Sequence, residues 1–228
     1  MLKKGFTLAE VLITLGIIGV ISALTLPGLL TDTASAQVGP KLAKARSMFD
    51  QANQALLHEL NLDSYLNKSN NTNFFNPANN DYFTNYLSAH LKVTDFDREQ
   101  NEYYVTIPDF EGSPGNIGDC ALSSDGMLFC NSMVLDITEG DLPSHRKHIG
   151  TVFIDINGKI GPNLLGTDVF VFKLSAAGSL IPVGATNWDN KNTNESDWRT
   201  QCPADQVPAN TAYCAGHIFE NDLKVLYK

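Results

Sequence analysis

Charge is what the first thirty residues lack. Between Lys4 and Asp32 a single ionisable side chain, Glu10, interrupts an otherwise uncharged sequence. The chain also has no C-x-x-C pair, no glycine-rich phosphate loop, and no motif that sets a serine or cysteine nucleophile beside a histidine and a carboxylate. Thiol-redox, zinc-ribbon, P-loop and triad chemistry therefore have no basis here, and no catalytic residue is nominated. Basic residues are scarce as well: 16 Lys and Arg stand against 25 Asp and Glu, for a formal net charge of -9. That balance argues against a broad electrostatic nucleic-acid surface, and no nucleic-acid partner is expected.

What fills the uncharged stretch is apolar. From Val11 to Leu26 the sequence runs through Leu, Ile, Val, Gly, Thr, Ser and Ala. As helix, Phe6 to Leu30 would be roughly 37 Å long, enough to cross a hydrocarbon core of about 30 Å with some tilt. Lys3 and Lys4 precede the run, so the N-terminus is expected to stay cytoplasmic and the remainder to be exported. Glu10 is the oddity, because an ionisable residue in a membrane helix normally has a partner and a role. If the chain were cut between Gly5 and Phe6, a new amine would begin the apolar helix. A helix start cannot easily fold that amine onto its own Glu10, but a neighbouring subunit shifted along a filament axis could supply one.

The phrase Lys4-Gly5-Phe6-Thr7-Leu8-Ala9-Glu10, followed by a long apolar run, resembles the prepilin signal of type IV pilins and type II secretion pseudopilins. The resemblance implies cleavage after Gly5 by a prepilin peptidase, N-methylation of Phe6, and a subunit-docking role for Glu10. It implies as partners the membrane, other pilin or pseudopilin subunits and an inner-membrane assembly platform. The expected location is the bacterial inner membrane with the head outside the cytoplasm, and a cell-surface or periplasmic filament after assembly. Pro27 falls where pilins often carry a helix-bending proline. Two alternatives stay open: a secretory signal cleaved after Ala34-Ser35-Ala36, and a plain anchor for an exported binding protein or enzyme.

The organisation expected is a leader over 1–5, a transmembrane half-helix over 6–30, an amphipathic continuation over 31–66 and an exported β-rich head over 67–228. The fold class is α+β, a long N-terminal membrane and filament helix carrying an antiparallel β-sheet head. Val38, Leu42, Ala45, Phe49, Ala52, Leu56 and Leu60 recur at three- and four-residue intervals, one face of a helix. Gly39-Pro40 is expected either to bend this helix or to mark its start. The asparagine-rich stretch 67–81 reads as an exposed connection, and Phe83, Tyr86, Leu87 and Leu91 as a short packing helix. Tyr103 to Ile107, Thr151 to Ile156 and Asp168 to Leu174 read as strands, and Ser123-Ser124-Asp125-Gly126 as a hairpin turn. Ile218 to Leu226 is expected to return as a last strand.

Four cysteines suit an exported domain, where disulfides persist. They allow three pairings. Cys120 with Cys130 and Cys202 with Cys214 are favoured, each pair being close in sequence and bracketing turn-like residues. The second pair resembles the disulfide-bounded loop of many pilins. Asp155, Asn157 and Asp168 could offer oxygens to Ca²⁺, which takes six to eight, and some pseudopilins bind calcium in a head-domain loop. The pattern departs from an EF-hand, and Asn157-Gly158 as a simple turn is the preferred reading. His145 and His148 flank Arg146-Lys147 and read as a solvated loop, without a third metal ligand. Trp188 and Trp198 lie in a polar stretch, where they could anchor a partner contact or pack the loop onto the sheet, packing being the preferred reading.

Overall fold

The computed structural model describes residues 7–65, 82, 86–97, 104–105, 115–116, 119–132, 148–185, 201–203 and 211–227. The cleavage junction Gly5-Phe6, the asparagine-rich 67–81, the His145 loop and both tryptophans lie outside them. The chain divides into two compact units, Met1–Gln37 and Val38–Lys228.

The first helix, α1, runs Leu8–Glu59 and contributes to both units. Within the first unit it is apolar: Leu8–Thr25 is long and apolar enough to cross a membrane, and Leu12, Ile13, Ile17 and Ile18 are all exposed. Within the second unit the expected stripe is present. Leu42, Ala45, Phe49, Ala52 and Leu56 are buried, with Val38 and Leu60 packed at the margin of the same core. Burying Leu42, Phe49 and Leu56 contributes about 1.5–3 kcal/mol each, and the two alanines less, so this face holds the helix to the sheet.

The helix does not begin at Gly39-Pro40. Gly39 has a different task, because a Cβ there would stand 1.8 Å from the carbonyl oxygen of Leu223. Its bare backbone lets the C-terminal turn lie directly on α1.

After a short helix α2 (Ser88–Leu91) come the strands β1 (Val93–Asp97), β2 (Tyr104–Val105), β3 (Gly115–Asn116), β4 (Asp119–Ser123), β5 (Leu128–Ser132), β6 (His148–Asp155), β7 (Val169–Ser175) and β8 (Leu180–Pro182). Six of them form an antiparallel sheet in the order β1-β4-β5-β6-β7-β8, and β2 pairs with β3 separately. The β4–β5 turn places Gly126 at φ 78°, the left-handed conformation that glycine adopts without steric cost.

The central strands are buried on both faces. Ala121, Phe129, Val152, Ile154, Phe170, Phe172 and Leu174 join the core under α1. Cys120, Leu128, Cys130, Val169 and Val171 point the other way, into a second cluster covered by Leu165, Val183, Ala212 and Tyr213. That is why Val169-Phe170-Val171-Phe172 is a continuous apolar run instead of an alternating one. The architecture is α+β and pilin-like.

A 3₁₀ turn (Thr211–Tyr213) leads into helix α3 (Cys214–Glu220), so the expected last strand, Ile218 to Leu226, is instead the end of that helix followed by a turn and a segment without regular structure. Ala215 and Ile218 stand three apart and are both fully buried, which is helical spacing. Asn221 and Leu223 then both donate their backbone N–H to Ile218 O, and Asp222 and Leu223 take left-handed φ of 53° and 60°. A chain turned in this way cannot extend along a sheet edge.

Candidate functional site

The chemistry that distinguishes this chain begins at the start of α1. Thr7 N–H and Thr7 Oγ1–H both donate to Glu10 Oε2, at 2.8 and 2.7 Å, and Glu10 N–H donates to Thr7 Oγ1 at 3.3 Å. This reciprocal pairing is a capping box, in which the side chains at the first and fourth positions satisfy each other's backbone donors. The sequence signal for it is Thr7-x-x-Glu10 ahead of an apolar run. Further along, Thr14 Oγ1 donates to Glu10 O and Val11 O, and Thr25 Oγ1 donates to Ile21 O. Hydroxyls spent on their own helix leave the apolar surface uninterrupted, as a lipid or protein environment without water requires.

The second constellation is the connection between β6 and β7. Asp155, Asn157 and Asp168 come together here. Asn157 N–H donates to Asp155 Oδ1 at 3.0 Å, and Asn157 Nδ2 to Asp168 Oδ2 at 3.3 Å. Asp168 also accepts the backbone N–H of Asn163 at 2.9 Å and of Leu164 at 2.6 Å. Its carboxylate is therefore the closure of the loop. Gly158, at φ 72°, backs so closely onto the hairpin turn that a Cβ would lie 2.5 Å from Gly126 O.

The fit to calcium is incomplete. Two amide oxygens, Asn157 Oδ1 and Asn163 Oδ1, are buried without a hydrogen-bond partner. Both carboxylates, however, already receive N–H donors, and two amides with two carboxylates reach six oxygens, the lower end of the six to eight Ca²⁺ takes, only if both carboxylates bind through both oxygens and give those donors up. No group of three or more His, Cys, Asp or Glu suited to a metal occurs among the described residues.

A third cluster ties the C-terminus to that loop. The structure joins Cys120 to Cys130 across directly paired positions of β4 and β5, and Cys202 to Cys214 at the start of α3. His217, fully buried, stands 2.9 Å through Nδ1 from Cys202 O, while Leu226 N–H donates to its Nε2 at 3.3 Å. The two contacts together define the neutral ring protonated on Nδ1. Burial pushes the His217 pKa down, partly offset by the bond to Cys202. Tyr227 packs edge-on against this ring at 5.0 Å and donates its hydroxyl to Gly166 O at 2.6 Å.

One polar cluster lies inside the core. Asn53, with no exposed surface, accepts the hydroxyls of both Tyr65 and Tyr82 on Oδ1 and donates Nδ2 to Phe49 O. Burial holds both phenols protonated well above their ordinary range.

The chain matches no curated protein and no solved structure. Residues 1–26 match the family described as the prokaryotic N-terminal methylation motif, so the capped apolar helix start is a prepilin-type signal, as in type IV pilin and pseudopilin precursors.

Proposed function

We propose that this protein is a structural subunit of a type IV pilus or type II secretion pseudopilus. In this reading a prepilin peptidase cuts between Gly5 and Phe6 and methylates Phe6, and the mature chain waits in the inner membrane with its head exported. The assembly platform then gathers it with other pilin-type subunits, whose apolar helix surfaces supply most of the assembly energy. Glu10 guides the register by meeting the N-terminal amine of a neighbour. The methylation motif over residues 1–26, on a helix that leads into an α+β head, is the observation that carries this reading.

Intact mass and N-terminal sequencing of the protein from its native membrane test it. A chain beginning at N-methylated Phe6 is the expected result. A start at Gln37 would mean an exported soluble protein, and an unprocessed Met1 a simple tether for an independent head; either outcome sinks the reading.

For the β6–β7 loop the proposed role is structural, a turn closed by Asp168. Calcium is its second reading, favoured by the two unpartnered amide oxygens. Calorimetric titration of the purified chain with Ca²⁺ separates the two, since a saturable heat lost in Asp155→Asn would establish the metal.

A further inference from the structure

The chain after α3 belongs to no strand, yet it is fastened to the head at three points. Leu223 lies against the bare backbone of Gly39, Leu226 N–H donates to His217 Nε2 at 3.3 Å, and the Tyr227 hydroxyl donates to Gly166 O at 2.6 Å. The apolar seal between these points is modest, because Leu223, Val225 and Tyr227 are only partly buried against the core and Leu226 faces solvent. Such a segment opens more readily than the sheet beneath it, and one polar contact weighs heavily in how often it does so.

The middle fastening depends on the protonation of one ring. Cys202 is tied by its disulfide to Cys214, the first residue of the helix that carries His217, so Cys202 O is a fixed acceptor 2.9 Å from His217 Nδ1. It holds the ring's proton on Nδ1 and leaves the Nε2 lone pair to Leu226. A second proton takes up that lone pair, sets one N–H against another and places a positive charge where the side chain has no exposed surface. Tyr227 meets the ring edge-on, and burial keeps its phenol protonated well above the ordinary range. Cys202 and Cys214, as a disulfide, do not titrate. Glu220 on α3 and Asp222 and Lys224 beyond it are exposed, where water and salt screen their charges. Of the elements that α3 packs against, β7 carries Lys173, which donates to Thr151, and β8 carries no titratable side chain. On α1, Arg46 is paired with Asp50 and lies over Phe219.

We propose that His217 is a proton-operated latch, whose protonation releases the C-terminal segment 221–227 from Gly39 and Gly166 while the sheet stays folded. In the open segment the ring returns to its ordinary pKa of about 6.5, so opening becomes more favourable as pH falls below that value, and the latch stays closed above it. Release bares the strip of α1 around Gly39 and the Gly166 end of the β6–β7 connection. The inference concerns the head alone and stands whether or not the filament reading does.

Hydrogen exchange of the detergent-solubilised full-length chain, read by mass spectrometry as protection relative to the intrinsic rate at each pH, tests it. Between pH 7.5 and 5 protection over 221–227 should fall by about ten- to thirtyfold, the upper figure being the protonated fraction gained by a ring of pKa about 6.5 that is neutral when closed, while β6 and β7 keep theirs. In His217→Gln, whose amide offers a donor and an acceptor but does not titrate, the fall should vanish. Tyr227→Phe retains the ring and drops the bond to Gly166, so it should lower protection at both pH values and keep the ratio between them. Nitrogen NMR of the wild-type imidazole at pH 7.5 should find the proton on Nδ1. Wild-type protection over 221–227 that is level between the two pH values, that falls in step with the sheet, or that falls equally in His217→Gln overturns the latch, as does a ring protonated on Nε2.

Discussion

Replacing Gly39 by alanine sets two physical effects against each other with opposite signs. Alanine is the better helix former by about 0.8–1.0 kcal/mol, and Gly39 lies inside α1, so propensity alone predicts a more stable protein. Packing predicts the reverse. The new Cβ would lie 1.8 Å from Leu223 O, 2.6 Å from Leu223 C and 2.8 Å from Leu223 Cβ, where ordinary contact begins at 3.4 Å. Two of those atoms are backbone, so no rotamer change relieves the clash. The C-terminal turn must withdraw by more than an ångström, taking with it Leu223, Val225 and Tyr227, all packed on the main core. Overpacking costs about 1–3 kcal/mol in well-packed sites, and a backbone clash belongs at the upper end. Net destabilisation of about 1–2 kcal/mol is expected, a large part of the 5–15 kcal/mol typical of a folded domain. Pulse proteolysis of the detergent-solubilised full chain across a urea series would measure it as a lower midpoint. A midpoint raised by an amount worth about 1 kcal/mol would refute the argument, since propensity would then have won and the C-terminal turn would not be seated on α1.

Three further outcomes are expected. Glu10→Gln keeps a side chain able to complete the capping box but removes the charge, whereas Thr7→Ala removes the box and keeps the charge; filament yield should fall in the first and largely survive in the second, and the opposite order would assign Glu10 to capping alone. Asn53→Ala leaves two buried phenols that can satisfy only one donor between them, so it should cost about 2–4 kcal/mol, against about 0.5–1.5 kcal/mol for Tyr65→Phe; equal urea midpoints for the two variants would count against the network. His217 is held below its ordinary pKa of about 6.5, so the unfolded chain takes up a proton before the folded one does and stability falls as pH drops through the window below that value. Urea midpoints measured from pH 7 to 5 should show this slope, and His217→Gln should flatten it.

The helix stripe and the central strands were legible because each obeys a periodicity that burial imposes. Leu42, Ala45, Phe49, Ala52 and Leu56 face one way at helical spacing, and all five are buried. The Asp-Gly turn between β4 and β5 was legible because its backbone conformation restricts which residues it accepts. The C-terminus misled for a corresponding reason. Ile218, Val225 and Leu226 carry enough apolar character for a strand, and of the left-handed conformations that forbid one, that at Asp222 suits its residue type while that at Leu223 has no local signal. Gly39 was visible as an irregularity in a helix, but its cause lies at Leu223, far along the chain, and no local pattern carries that information. At the site, Asp155, Asn157 and Asp168 were found together by their spacing around Asn157-Gly158. That Asp168 spends its carboxylate on the N–H groups of Asn163 and Leu164 depends on the path of the loop between them.

Glu10 shows how a local interaction changes the reading of a charged residue. From the sequence, a carboxylate in an apolar run looked like a bare charge that only a neighbouring subunit could satisfy. In the structure both donors from Thr7 already converge on Oε2, so the single chain holds its carboxylate without help. The filament reading must then explain why a neighbour's amine would displace or supplement that arrangement. Both Thr7 bonds fall on one oxygen, and Oε1 lies outside the box, so an incoming ammonium can approach Oε1 while the helix keeps its cap. Assembly on this scheme adds a charge pair to a preformed carboxylate and does not first have to break the helix start. The scheme also accounts for why a charged residue can sit in the apolar segment before assembly: the capping box tethers it to the first turn, the place along the helix where backbone N–H groups lack partners and favour an anion. Thr7 and Glu10 therefore act as one unit, and a substitution at either should be judged by which half of that unit it removes.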